Sequence, residues 1–195
     1  MGKSKLTNKE RYNYLINARN FHYDNFNKWM TYFYVAIGAL FVGYYTLIGA
    51  EDVEDEKTIL LTLGYTTSLL WYWSSKGYYF WNINFITLVN NCEKKSLKLK
   101  KKDRVYFVFA NKNTQNDYLN PISGANISTS KVAIFFAFII TCVWGILLMT
   151  KLFALKTHWN ILISVSATLL LSLSIPGYFL KSKIDHFPDL RINQN

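Results

Sequence analysis

The chain is short of charge, and shortest of acid. Asp, Glu, Lys and Arg make up 17% of its 195 residues, against roughly 25% in an ordinary soluble domain. Only 12 residues are acidic, against 22 basic ones. Three prolines and two cysteines exclude a collagen-like chain and a disulfide scaffold. A disordered tail is excluded by what fills the rest: 51% of residues are apolar and 17% aromatic. Residues 1–28 contain no apolar run of the secretory type, so the first membrane segment is expected to direct its own insertion. Met1-Gly2 is followed by Leu6 where a myristoylation motif has Ser or Thr, so no lipid anchor is expected.

Mean hydropathy is close to neutral at +0.06 while the net charge is +10. Apolar and basic residues must therefore be segregated along the chain. Four stretches lack Asp, Glu, Lys and Arg altogether: 29–50, 58–75, 132–150 and 157–180. Each is close to the roughly 17–25 residues that a helix needs to cross hydrocarbon. The second is the weakest, because it carries Thr62, Thr66, Thr67 and Ser68. A soluble helical core would show shorter helices, interrupted by charge on a solvent face.

The connectors set the orientation. Residues before Trp29, the segment Lys76 to Lys131 and the tail after Leu180 hold nineteen of the 22 Lys and Arg residues. Lys57, Lys151 and Lys156 are left for the opposite side, beside the acidic run Glu51, Asp52, Glu54, Asp55, Glu56. The positive-inside rule places both termini and the long middle segment in the cytoplasm of the cell, with the spans in the inner membrane. The expected fold is an all-α integral membrane protein with four transmembrane helices. A cytoplasmic amphipathic helix occupies 1–28, and transmembrane hairpins occupy 29–75 and 132–180. A basic, partly helical cytoplasmic loop fills 76–131, and 181–195 is a cytoplasmic tail.

Within 7–28, Thr7 and Glu10 have capping-box spacing. Tyr12, Leu15, Ile16, Arg19, Tyr23 and Phe26 form an incomplete apolar stripe, which reads as an interfacial helix lying on the inner leaflet. Trp29, Tyr32, Phe33 and Tyr34, and the dense set Trp71 to Trp81, are interface anchors. The second helix is expected to run on into the cytoplasm, as far as Leu99. Trp81, Phe85, Leu88 and Cys92 then form its apolar face, with Asn82, Asn84, Asn90, Asn91 and Glu93 covering much of the rest. Val105 to Ala110 reads as a strand or one buried turn, and 111–130 as a loop with a helix cap at Ser128, Thr129 or Ser130.

Chemistry-bearing clusters are scarce. No acid or base sits inside a span, which argues against ion-coupled carriers and voltage sensors. His22, His158 and His186 have no ligand partner at helical spacing, so no metal site is expected. Cys142 reads as a packing residue. No phosphate loop or nucleophile-base set is found, and neither an enzyme nor a cofactor is expected.

Two patterns remain as candidate sites. Thr58, Thr62 and Thr66 in the second span, and Ser164, Thr168 and Ser172 in the fourth, recur every four residues and so share a helix face. Such stripes serve either as close helix packing or as the wet lining of a pore between subunits. The run Lys94, Lys95, Lys98, Lys100, Lys101, Lys102, Arg104 suits the anionic inner leaflet. A soluble partner is an alternative occupant. A nucleotide or nucleic acid is another, but no aromatic interleaves the lysines, which weakens nucleic-acid stacking.

The order of elements carries a resemblance. A polar helix containing Ala18-Arg19-Asn20-Phe21 precedes a span, a short outer turn and a second span. That span runs into Trp81-Asn82-Ile83-Asn84-Phe85 and ends near Glu93. This resembles small bacterial inner-membrane proteins of the RipA-like octameric group, and the SLATT-type and Kiwa-type membrane components of anti-phage systems. The resemblance covers about residues 10–95. It implies homo-oligomerisation and a non-enzymatic role at the membrane, and carries over no functional residue. The functional expectation is a channel-like or membrane-perturbing effector in bacterial defence. The alternatives are a scaffold that recruits a soluble partner, or a small transporter or lipid-pathway protein.

Overall fold

The computed structural model describes residues 6–106, 116–153 and 156–180. Four long helices account for most of them: α1 (Asn8–Leu47), α2 (Glu54–Asn91), α3 (Thr129–Leu152) and α4 (Thr157–Tyr178). A π-helical turn, Cys92–Ser96, prolongs α2, and a single 3₁₀ turn, Lys101–Asp103, lies in the basic run. No strand occurs among the described residues. Val105 and Tyr106 are in a turn; the rest of the expected strand-or-turn segment, and the tail after 180, lie outside the described residues.

Helix ends follow from local chemistry. Thr7 caps α1 through the reciprocal box with Glu10, whose carboxyl is held below its usual range by the Thr7 backbone and hydroxyl. Ser128 caps α3 by accepting from the Lys131 amide. Three acids in the first turn of α2 complement its dipole, and Glu54 there pairs with Lys57 and with Lys151 at the end of α3. The turn between α1 and α2 needs left-handed backbone, which Gly49 supplies at φ +88. Pro176 lies in the last turn of α4, which ends two residues later.

Three helices, α1, α3 and α4, are long and apolar enough to cross a membrane by length and composition. α2 is longer than a crossing requires but less apolar, because Gly64 and five Ser or Thr residues fall within Thr58 to Ser68.

The N-terminal segment is the main correction. Residues 8–28 are not a separate surface helix. They form the first half of one helix that runs unbroken to Leu47. No Pro or Gly stands between Thr7 and Gly38 to break it. α2 covers its stripe, since the two helices pack antiparallel along their length. Asn8 donates to the Ser96 carbonyl at 3.1 Å and the Tyr12 hydroxyl to Glu93 at 3.0 Å. The rings of His22 and Phe26 lie 5.1 Å from Tyr78. Further along, the Trp71 indole reaches the Met30 sulfur at 3.2 Å, and Gly43 sits against Leu60.

The shorter α3 joins this hairpin part-way along. Ser130, near its start, shares a cleft with His22, Tyr79 and Asn82. At about 1.5 Å per residue, the 14 residues from Asn8 to Phe21, and those from Ile83 to Ser96, project some 20 Å past α3 as a two-helix stalk. The stalk interface is rotated from the expected one. Val89, Cys92 and Glu93 are buried, whereas Trp81 is exposed. Polar groups occupy interface positions because α1 supplies partners such as Tyr12 for them.

The core is a junction at Trp144 of α3. Its fully buried indole stacks on Phe41 of α1, with centroids 4.3 Å apart, and lies flat against Gly64 of α2. A methyl group on Gly64 would overlap the ring. α4 approaches α3 through Gly145, whose bare backbone faces the Ser164 hydroxyl. Close approach of this kind is how helices associate where hydrophobicity gives no preference for protein over lipid.

Candidate functional site

The two hydroxyl stripes part company in space. On α4, Ser164 and Thr168 are fully buried and Ser172 is partly buried. Ser164 donates to the Cys142 carbonyl at 3.0 Å, Thr168 meets the Tyr65 hydroxyl at 3.1 Å, and Ser172 accepts from the Trp73 indole at 3.0 Å. The stripe is thus a polar seam that fastens α4 to α3 and α2. Tyr65 and Trp73 are its partners on α2, and sequence spacing did not single them out. Asn160 extends the seam with a bond to the Thr150 hydroxyl at 3.1 Å.

On α2, Thr62 and Thr66 are exposed and face away from the chain's own bundle, beside Ile59, Leu63 and Leu70. Thr62 donates to the Thr58 carbonyl at 2.9 Å, so its hydroxyl proton is satisfied within its own helix. The opposite face of α2, with Leu61, Gly64, Ser68, Leu69 and Trp71, is the buried one.

The far end of the stalk forms the second site. Glu93 is fully buried. One carboxyl oxygen accepts from the Tyr12 hydroxyl and from the Val105 amide at 3.1 Å, and the other is buried without a partner. The Glu93 carbonyl accepts from the Leu99 amide at 2.9 Å, and the Leu99 carbonyl accepts from Arg104 at 3.1 Å. The basic run is therefore a loop folded back over the hairpin end and pinned there by Glu93. Lys94, Lys95, Lys98, Lys100, Lys101 and Lys102 all point outward, and Arg104 is partly covered. No acid forms an ion pair with them among the described residues. Lys98 takes left-handed backbone at φ 53, a conformation that the loop's other bonds hold in place.

Burial and the bond to Glu93 push the Tyr12 hydroxyl up to about 12. A raised value means that the folded stalk keeps this proton more tightly than the unfolded chain. Its contribution is complete below pH 10 and is lost as pH rises from 10 towards 12. Tyrosinate absorbance at about 295 nm is expected to lose a late-titrating component in Tyr12→Phe.

A family model for octameric membrane proteins (8xMP) matches residues 9–153, more than half of the chain. The chain belongs to this family. The 8xMP match takes in α1, α2, the basic tip and α3, and stops before α4 and its seam. It makes the chain a membrane protein, which agrees with the three apolar helices. No curated protein and no solved structure matches the chain.

Proposed function

We propose that this 8xMP member is a homo-octameric, four-span inner-membrane protein whose subunits surround a polar path. In this reading it acts as a channel-like effector and not as an enzyme. α2 supplies the fourth crossing. Lys57 and Lys76 bracket it over a rise of about 28 Å, close to the hydrocarbon thickness of about 30 Å. It lies beside α1 and α3, which are apolar enough to span alone. The stalk, both termini and the basic tip face the cytoplasm, as the Lys and Arg distribution requires.

The carrying observation is the outward face of Thr62 and Thr66 on a helix otherwise enclosed by its own chain. In the octamer that the family name describes, such a face meets lipid, a neighbouring subunit or the central lumen, and this reading takes one of the last two. A hydroxyl stripe suits both. The α4 stripe is already engaged within the protomer. Thr62→Val/Thr66→Val is therefore expected to change ion flux through liposomes holding the intact octamer by several-fold. Thr168→Val is expected to act through stability instead. Unaltered flux in the α2 double variant removes the pore reading.

The role we assign in the cell is defence against phage, on the likeness in element order to membrane components of such systems. Deleting the gene from its host and challenging with phage tests it; unchanged plaque counts across a broad panel count against it.

A further inference from the structure

The basic tip lies at the wrong height to serve the bilayer that anchors it. Lys28 on α1 and Lys76 on α2 mark one level, since Phe26 meets Tyr78 just beyond it. From Lys76 the helix continues twenty residues to Ser96, about 30 Å. The headgroup layer takes up only about 5–7 Å of that span. The remainder is roughly three Debye lengths at physiological salt, so attraction to the inner leaflet is largely screened. The height of the tip above the leaflet rests on the four-span reading above.

Composition narrows the soluble partner. Protein interfaces are centred on aromatic, Met and Arg anchors and are depleted in Lys. The tip presents six exposed lysines, and its apolar residues Leu97 and Leu99 are half-buried. Lys without stacking side chains suits phosphates read as point charges, along a backbone whose bases stay paired. The run is also shaped in advance, because Glu93 and the Leu99 carbonyl hold its two ends. We propose that the stalk tip, Lys94 to Arg104, is a sequence-independent binding surface for the phosphate backbone of duplex nucleic acid. Eight copies in one assembly add avidity if the tips share one face.

The test uses full-length protein in neutral phosphatidylcholine nanodiscs and a fluorescent 30-base-pair DNA duplex. Binding is expected at 50 mM salt and is expected to weaken about 10²–10³-fold by 200 mM, as for four to six neutralised phosphates. Replacing the six lysines by Gln is expected to abolish binding, and replacing them by Arg to retain it. Both variants keep a surface position, and gel filtration checks their assembly. Absence of binding at 50 mM salt, or binding indifferent to the Gln replacements, overturns the proposal. Equal or tighter binding of poly-glutamate assigns the tip to an acidic protein and overturns it too. A fluorophore at Lys102→Cys is expected to escape quenching by nitroxide-headgroup phosphatidylserine. Quenching there overturns the stalk geometry itself, whereas an unquenched tip that ignores DNA overturns only the nucleic-acid assignment.

Discussion

Gly64→Ala is expected to cost about 2–4 kcal/mol of stability, although it adds one methyl group. That methyl falls inside the ring envelope of Trp144, which cannot retreat because Phe41 stacks on it and its own surface is fully buried. Overpacking of a fixed aromatic forces helices apart, and the loss spreads along every contact between α2 and α3. Trp144→Ala is expected to cost a similar amount through the opposite defect, an unfilled space where three helices meet. The two changes should not add. In the Trp144→Ala background the Gly64 methyl has room, so Gly64→Ala becomes nearly neutral, and the coupling exceeds 1 kcal/mol. Denaturant titration in mild detergent, read by gel filtration, measures all four proteins. Simple additivity would show that the helices do not meet at this junction.

Glu93→Ala is expected to free the basic loop while leaving the transmembrane bundle intact. The change strands two donors, the Tyr12 hydroxyl and the Val105 amide, which now point at one carboxyl oxygen. An unsatisfied buried donor costs about 1–3 kcal/mol, so a local loss of about 2–3 kcal/mol is expected. Amide exchange across 97–106 should then accelerate roughly 30–140-fold, since each 1.4 kcal/mol is a factor of ten in an opening equilibrium. Glu93→Gln keeps a carbonyl oxygen of the same shape and should accelerate exchange less. Tyr12→Phe removes only one donor and should be milder again. Unchanged exchange in Glu93→Ala would mean that the loop is held by something other than this carboxyl group.

These two sites differ in how far the sequence revealed them. The apolar stretches, the prolonged second helix and both side-chain caps were legible, because each is a local signal of hydropathy, period or spacing. The continuity of α1 was not. Its stripe is broken by Arg19 and His22, and an imperfect stripe reads as a surface helix unless the partner helix is known. His22 belongs in the interface because Tyr78 and Phe85 pack on its ring. Glu93 was misread for the same reason. A carboxylate in a polar helix extension looks solvated, and only the folded pairing of residue 12 with residue 93 reveals its burial. The hydroxyl stripes were visible as periodicity. Which of them the chain uses for itself depends on where Gly64 and Gly145 let the helices touch, and that is a tertiary property. Trp144 gave no signal beyond being apolar, yet it organises the core.

The central claim is that the chain crosses the membrane four times and holds its stalk inside the cell. Site-directed labelling with a membrane-impermeant maleimide tests this most directly. Cys92 and Cys142, both buried, are first replaced by Ser, and single cysteines are then placed at Asp52 in the α1–α2 turn and at Lys98 in the tip. In intact spheroplasts the Asp52 position is predicted to react and the Lys98 position to stay silent until the membrane is opened. Reaction at Lys98 in sealed spheroplasts, or equal reaction at both positions before opening, would contradict the account.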